Sequence, residues 1–417
     1  MSKKELPKKK KNARDLFAKG LKVKEKKNKG IYTEYLDRKM SFEQLTEERK
    51  KQLRRISKLR DGRDVFVYAA DGNKNFVPVN IDPSDLTPIN DQIAVLNNDR
   101  LDFIIETNGG IGEVAEDIVK LLRSKFDEVN VIVPGTAKSA GTLIAMAGDD
   151  ILMEPASSLG PIDAQIITQG KQFSADALIK GLEEIKEEVA DTGVLNKAYI
   201  PILQSLSPGE IQHAQNALKF AQVLVIDWLV KYKFKNWTER KRDGEKIDND
   251  YRVKRAETIA QKLSDHSKWL THGRSIKIED LREMELMVTD YAEIPELADA
   301  IRRYKILLEM TLNNSPIYKL YETSVSQIWR TADIIPNQPK PPQQIPNNLP
   351  SYDFDVECSN CKTKNKVNAW VQKPKKIKPG FIDFPQNNVI QCNGCNLPVN
   401  VLKLRQQIEK MTGKPII

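Results

Sequence analysis

The chain of 417 residues has no apolar segment long enough to cross a bilayer. Its most apolar stretch, residues 220–230, is interrupted by Asp227 and falls well short of the ~20 residues that a spanning helix needs. The N-terminus is basic and has no apolar segment behind it, which is not the pattern of a secretory signal. These absences predict an intracellular, cytoplasmic protein with no transmembrane segment.

Cysteine is scarce, with four residues in two Cys-x-x-Cys pairs. Disulfides are not expected without secretion, so the pairs indicate metal ligands. Two such turns can close a tetrahedral four-thiolate site, and a site with no open position holds zinc for structure and not for catalysis. We therefore predict a zinc ribbon, against the alternative of unmetallated thiols, with the ligands Cys358, Cys361, Cys392 and Cys395.

The net charge of +9 is concentrated in residues 1–30, which contain thirteen Lys and Arg against three acids. This Lys-rich, aromatic-poor segment is predicted to be a disordered tail. It can contact RNA, DNA or an anionic membrane through phosphate groups, or act only as a solubilising arm. The sequence leaves both interpretations open.

From Asp64 onward, strand patterns alternate with helix patterns, which predicts an α/β core with parallel strands. Residues 174–270 read as mostly helical, and Ser207-Pro-Gly-Glu210 has the sequence of a capping box that begins a helix. A Pro-rich stretch then separates this core from the cysteine pairs. The predicted organisation is a tail at 1–30, a helical lead-in arm at 31–63, the α/β domain at 64–333, a linker at 334–350 and the ribbon at 351–417.

A glycine-rich segment follows the second predicted strand. Gly110-x-Gly112-x-x-Ala115 loosely matches a dinucleotide-binding fingerprint. However, Glu113, Glu116 and Asp117 would repel phosphate at the start of the following helix. We favour a tight turn that needs positive φ.

Ser139 lies where a strand ends in a turn of small residues and an apolar helix begins. A hydroxyl in this position is close to free backbone N–H groups and to the positive end of the helix dipole. A nucleophile whose oxyanion product needs donors has the same requirements. From spacing alone, a serine that caps the helix is the more common explanation.

Three blocks in order resemble the serine dehydrogenase proteinase family, a distant relative of the Clp proteases and of signal peptide peptidase A. They are Asn108-Gly-Gly110, residues 137–154, and Leu159-Gly-Pro-Ile-Asp-Ala-Gln165, and the resemblance extends roughly over residues 64–310. It implies a Clp protease/crotonase-like spiral of β-β-α units with a helical insertion. It also implies a protein or peptide substrate and a homo-oligomer.

The resemblance implies the following site. Ser139 is the nucleophile, and the backbone N–H groups of Gly110 and Ala140 form the oxyanion hole. Asp163 matches the aspartate of the family's Ser, Asp, His order and would orient the imidazole and stabilise its charged form. The alternative for Asp163 is a turn aspartate that bonds its own backbone. His272 matches the late histidine block and would be the general base, although the Gly-Arg-Ser that follows it departs from the family pattern.

The remaining candidate bases are weighed by their surroundings. His213 is predicted to be solvated, and His266 to cap a helix or lie on the surface. Lys180 is the alternative base, in a Ser–Lys dyad like that of the related signal peptide peptidases, although it points away from the apolar stripe of its helix. Lys138, next to the nucleophile, is expected to be solvated or to face the substrate.

The function predicted from these observations is that of an intracellular serine peptidase. No G-x4-G-K-[ST] motif is present, so hydrolysis is expected to be ATP-independent. The alternative is a catalytically inactive protease-fold scaffold that binds nucleic acid or protein through the basic tail and the zinc ribbon. In the ribbon, lysines of residues 373–378 lie beside Trp370, Phe381 and Phe384, a combination that permits either kind of contact.

Overall fold

The computed structural model describes residues 30–74, 76–168, 171–240, 244–332, 350–372, 379–412 and 414–417. The chain divides into two compact units, with the boundary between Asp333 and Ile334. The predicted basic tail, apart from Gly30, lies outside the described residues. So do the predicted Pro-rich linker, apart from Pro350, and the lysines of residues 373–378.

The first unit combines helices and strands throughout its length. Its helices are α1 Ile31–Arg38, α2 Phe42–Leu59, α3 Leu86–Ala94, α4 Gly112–Lys125, α5 Ala140–Met146, α6 Ala175–Thr192, α7 Ile200–Gln204, α8 Pro208–Trp228, α9 Asn249–Ser264, α10 His266–Trp269, α11 Ile278–Glu283 and α12 Pro295–Asn313. Its strands are β1 Asp64–Ala70, β2 Arg100–Glu106, β3 Glu128–Ile132, β4 Thr136–Ala137, β5 Asp150–Met153, β6 Ser158–Leu159, β7 Gln165–Thr168, β8 Lys171–Ser174, β9 Thr289–Asp290, β10 Ile317–Thr323 and β11 Gln327–Thr331.

The main sheet of this unit has the strand order β11-β10-β1-β2-β3-β5-β9. Strands β1, β2, β3, β5 and β9 pair in parallel, as the alternating strand and helix pattern predicts. Strands β10 and β11 add an antiparallel edge that the sequence analysis does not predict. The parallel strands are buried on both faces, which explains why they read as nearly continuous apolar runs.

Strand β1 shows how the two faces are covered. Phe66 and Tyr68 point into a core shared with α3, α4, α5, α8, α9 and α11. Val65 and Val67 point into the opposite core, where Leu53 of α2 packs together with α12. The segment predicted as a lead-in arm therefore covers one face of the sheet in the structure.

The helical insertion lies between β8 and β9, as α6 to α9. The capping box predicted at its centre is confirmed: the Ser207 hydroxyl accepts the Glu210 N–H at 3.2 Å, and the Glu210 carboxylate accepts the Ser207 N–H at 2.8 Å. This box begins α8, whose middle part, residues 213–223, borders the cleft described below. Among the described residues, none of the helices combines the length and the apolar character that crossing a membrane requires.

The second unit is small and mostly β. Strands β12 Ser351–Glu357, β13 Lys364–Trp370 and β14 Ile382–Asp383 form one sheet, and β15 Val389–Gln391 and β16 Pro398–Asn400 form a hairpin. Helix α13, Leu402–Thr412, follows the hairpin. The core of this unit includes the buried side chains of Tyr352, Val367, Phe384 and Ile408.

Candidate active site

A ladder of backbone bridges beside the main sheet joins segments that are far apart in the chain. Each bridge aligns the backbone of one segment with that of the next, so the segments keep a fixed register. In order, the bridges are Ile81 to Gly110, Thr107 to Ala137, Ala137 to Leu159 and Leu159 to Ile276.

Each segment of this ladder after the one at Ile81 carries a residue predicted for the site. Ser139 lies two residues after Ala137, Asp163 follows Leu159, and His272 precedes Ile276. All three side chains, together with Gly110 and Ala140, border a single cleft with a volume of about 1150 Å³. The structure therefore brings the predicted nucleophile, base, acid and amide donors to one place.

Ser139 lies immediately before α5 in an unusual backbone conformation, with φ 49° and ψ −116°. Positive φ in a residue with a Cβ costs on the order of 1–3 kcal/mol and persists only where the surroundings impose it. Its hydroxyl makes no hydrogen bond to the helix, so the alternative interpretation as a capping serine is wrong. A strained turn between strand and helix is how a serine hydroxyl is held out toward a substrate.

The turn at Gly109 and Gly110 has φ values of +102° and +154°, which confirms the prediction of a turn with positive φ. The backbone oxygen of Gly109 accepts the Ile81 N–H at 2.8 Å, and the Ile81 oxygen accepts the Ile111 N–H at 3.0 Å. Within the described part of the chain, neither the Gly110 N–H nor the Ala140 N–H donates a hydrogen bond to the protein. Two unengaged amides near a nucleophile are the donors that an oxyanion needs.

Gly109 packs directly on Ser139. A Cβ added there would lie 2.6 Å from the Ser139 Cβ, 2.7 Å from the Lys138 oxygen and 3.2 Å from the Ala140 nitrogen. All three distances are shorter than an ordinary van der Waals contact. The first two are so short that the Ser139 turn would have to shift.

We therefore expect Gly109→Ala to slow the labelling of Ser139 by a fluorophosphonate about 10²-fold, the usual effect of displacing a reacting group by ~1 Å. Gly181→Ala in α6 is the matched control, because no atom lies within 4 Å of the added Cβ. It should leave the labelling rate unchanged and stabilise the helix by up to about 1 kcal/mol. Equal labelling rates in two folded variants would contradict the assigned packing.

The carboxylate of Asp163 is fully buried and engages His272. The distance from His272 Nδ1 to Asp163 Oδ1 is 2.7 Å, and the imidazole is 29% exposed. Since Nδ1 is occupied by the carboxylate, Nε2 is the ring nitrogen left for a substrate or a serine. Within the described residues no hydrogen bond joins His272 to the Ser139 hydroxyl, a contact that commonly tightens only when substrate binds.

The pKa of Asp163 lies below its usual value. Burial acts to raise it, but the hydrogen bond and charge of His272, together with hydrogen bonds from Ser174 and His266, have the larger effect. The carboxylate is therefore ionised at neutral pH. Because the folded-state pKa is lowered, its contribution to stability is present above about pH 4 and is lost as the pH falls through that lowered value.

Lys180, the alternative base, lies on the outside of α6. Its Nζ is 2.7 Å from Asp265 Oδ1 and 3.0 Å from Asp176 Oδ2, and its side chain is 42% exposed. Partial burial acts to lower its pKa, but hydrogen bonds to Asp265 and Asp176 raise it above the usual value. A lysine base must instead lose its proton near neutral pH, so these contacts argue against this role.

Lys138, expected to be solvated or to face the substrate, is half-buried. Its Nζ donates to the backbone oxygen of Leu159 at 2.8 Å, to that of Arg274 at 3.0 Å and to the Ser275 hydroxyl at 3.0 Å. Burial, followed by the charge of Lys277, lowers its pKa to about 8. The ammonium group thus links the turn of the nucleophile to the loop that follows His272.

Two contacts of the site were missed by sequence reasoning. His266, expected to cap a helix or lie on the surface, binds Asp163 as well. Lys319 of β10 is fully buried and donates to the Asn80 oxygen at 2.7 Å and to Asp85 at 2.8 Å, beneath the segment that pairs with Gly110. The contact of Lys319 could have been recognised from the sequence by two signs. One is a lysine inside an apolar strand, and the other is a helix-capping sequence with two aspartates upstream of it.

His213, predicted to be solvated, is exposed at the rim of the cleft.

The four cysteines of the second unit converge on one point. Their sulfur atoms all lie within 4.8 Å of one another, with 3.6 Å between Cys358 and Cys395 and 3.5 Å between Cys361 and Cys392. These separations are too long for disulfide bonds. They are close to the ~3.8 Å edge of a sulfur tetrahedron around a metal with bonds of about 2.3 Å. The four cysteines can therefore hold a metal ion.

The two cysteine turns have the same local form. The residue after each pair, Lys362 or Asn396, has φ near +60°, and its N–H donates to the oxygen of the first cysteine of the pair. A Cβ at Gly394 would lie 2.2 Å from the Thr363 hydroxyl and 3.2 Å from the Cys361 sulfur. Only glycine fits beside this sulfur, which shows that the turns are built closely around the cluster.

Three features define the ClpP-like protease fold with a module compatible with a zinc ribbon. They are the parallel sheet with its helical insertion, the strained serine at the start of α5 and the four-cysteine module. Residues 31–205 match the family model described as ClpP-like SDH-type serine proteinase. The fold and the family resemblance predicted from the sequence are both confirmed.

Two curated relatives are similar over part of the chain. The uncharacterized protein MJ0137 of Methanocaldococcus jannaschii is 37% identical over 116 residues, 28% of this chain and 37% of that protein. The uncharacterized protein MJ1495 of the same organism is 35% identical over 91 residues, 22% of this chain and 30% of that protein. The chain thus spans about a third of the length of these relatives.

Among solved structures, a mutant of the 1510-N membrane-bound stomatin-specific protease is similar, with 16% identity and a TM-score of 0.30. The alignment covers 52% of this chain and 79% of that one.

Proposed function

We propose that the protein is an ATP-independent serine peptidase in which Ser139 is the nucleophile. The observation that carries the proposal is the convergence of Ser139, the His272–Asp163 pair and two unengaged amides on one cleft. The match of residues 31–205 to ClpP-like serine proteinases supports it and implies a protein or peptide substrate.

In the proposed reaction the Ser139 hydroxyl attacks the peptide carbonyl. Nε2 of His272 takes the proton, and Asp163 holds the ring by Nδ1 and stabilises its positive charge. The N–H groups of Gly110 and Ala140 donate to the oxyanion of the tetrahedral intermediate. The imidazolium then protonates the leaving amine, an acyl-enzyme remains, and water deprotonated by His272 releases the acid and regenerates the serine.

The proposal also includes the expectations about the metal ion, the assembly, the location and the binding of other macromolecules. The four cysteines would hold a structural zinc ion, because four thiolates with no open position suit that role. By family resemblance the protein would be a homo-oligomer, and its expected location is the cytoplasm. Nucleic-acid or protein binding by the basic tail and the ribbon lysines concerns residues outside those described.

A fluorophosphonate probe tests the proposal directly, because it reacts with activated serines and not with ordinary hydroxyls. We expect one label per chain, located by peptide mass spectrometry at Ser139 and lost in Ser139→Ala. A folded protein in which Ser139 stays unlabelled would favour the inactive scaffold instead.

The same probe separates the two candidate bases. His272→Ala is expected to slow labelling by about 10²–10⁴-fold, the range that a positioned general base contributes. Lys180→Ala should leave the rate within about two-fold, since its ammonium is bound to two carboxylates. The reverse order of effects would assign the base to Lys180.

A further inference from the structure

The buried carboxylate of Asp163 holds two imidazoles, one on each oxygen. Oδ1 is 2.7 Å from His272 Nδ1, and Oδ2 is 3.0 Å from His266 Nδ1. Oδ2 also accepts the Gln165 side-chain amide at 2.9 Å, and the Ser174 hydroxyl hydrogen-bonds the carboxylate. A triad needs only one histidine on its carboxylate, so the second one requires a separate explanation.

The two histidines stand on either side of one short helix. His266 is the first residue of α10, which Asp265 caps by accepting the N–H groups of Ser267 and Lys268. Leu270 ends the helix with φ 66°, and the chain then turns back to His272. The distance between the rings is therefore set by a single turn that is capped at both ends.

Residues of α6 hold His266 in place. Its backbone N–H donates to Asp176 Oδ2 at 2.9 Å, and Lys180 bridges Asp176 and Asp265. Asp163, Asp176, Asp265, Lys180 and the imidazole of His272 are thus the charged and titratable groups around it. The lysine considered as a base is instead paired with two carboxylates of this surrounding network.

We propose that His266 is a positioning residue for the His272–Asp163 pair, an inference that rests on the proposed peptidase function. A buried carboxylate with a single partner can rotate about its Cβ–Cγ bond and exchange its oxygens. With Nδ1–H of His266 and the Gln165 amide on Oδ2, only Oδ1 faces His272. This fixes both the direction of the His272 ring and the tautomer that leaves Nε2 free.

The test compares His266→Ala with His266→Asn, whose amide nitrogen can occupy the place of Nδ1. Lys268→Ala is the matched control, because it truncates an exposed side chain of the same helix that does not contact Asp163. The full-length chain, labelled with ¹⁵N at the ring nitrogens of its three histidines, is studied by NMR in the Ser139→Ala background to read which nitrogen of His272 carries the proton. This readout is independent of peptidase activity.

We expect the neutral His272 ring to be in the Nδ1–H tautomer in the parent, in His266→Asn and in Lys268→Ala, and to populate both tautomers in His266→Ala. With Ser139 restored, kcat should fall about ten-fold in the alanine variant, with KM unchanged, and recover in the asparagine variant. An unchanged tautomer population in folded His266→Ala, or an asparagine variant that behaves like alanine, would overturn the inference. If the tautomer population changes while wild-type Ser139 stays inert, the peptidase proposal fails and the positioning contact stands.

Discussion

Replacing Ser139 with alanine is expected to lower kcat for peptide hydrolysis by about 10⁴-fold or more. The variant keeps the cleft and the two amide donors, so only the residual catalysis of an oxyanion hole without a nucleophile remains. Affinity for substrate should change little, because the small Oγ contributes mainly to the chemical step. Hydrolysis of a fluorescent unfolded protein, followed over at least four decades of rate, provides the measurement.

Ser124→Ala is the control for this substitution. Ser124 is an exposed serine of α4 whose hydroxyl only donates to the Leu121 oxygen of its own helix. It should hydrolyse the substrate at the wild-type rate. If purified Ser139→Ala retains wild-type activity, Ser139 is not the nucleophile and the measured hydrolysis has another source.

Removing the metal from the four-cysteine cluster is expected to unfold the second unit. Structural zinc contributes roughly 10–16 kcal/mol of apparent binding free energy in small cysteine modules, and this unit has only a small apolar core to replace it. The full-length protein should contain one zinc ion per chain. A strong chelator, or Cys358→Ser, should expose residues 350–417 to proteolysis while the first unit stays resistant.

Ser359→Ala offers the matched control, since Ser359 is an exposed residue between the cysteines of the first pair. It should retain zinc and resistance to proteolysis. A metal-free chain whose C-terminal unit is still protected would show that the cysteines stabilise this unit without zinc.

The parts of the fold that the sequence predicts well are those set by local pattern. Strand β2 and helix α4 belong to the predicted alternation of strands and helices, because their apolar periodicity and the glycines between them are local signals. The antiparallel strands β10 and β11 were not predicted. Their place at the edge depends on pairing with β1, a strand some 250 residues earlier, and no local signal encodes that pairing.

The candidate site also contains some residues that the sequence reveals and others that it does not. Ser139, Gly110 and the cysteine pairs are visible in the sequence because turn chemistry and spacing are local properties. The second histidine on Asp163 is not visible, because the contact spans 103 residues and depends on how α10 packs. His266 and His272 also lie beyond residues 31–205, the part that matches the family. His272 is related to Ser139 through the family resemblance, whereas His266 is related to it only through the three-dimensional arrangement.

The ladder that aligns the site also bears on how the protein matures. Its bridges begin at Ile81 and end at Ile276, so the proposed active site forms only after closure of a loop of almost 200 residues. Such closures are slow and come late in folding. In a chain still emerging from the ribosome, Ser139 is synthesised many seconds before His272. We therefore expect newly made chains to be inert toward their neighbours until synthesis has passed the last segment of the ladder.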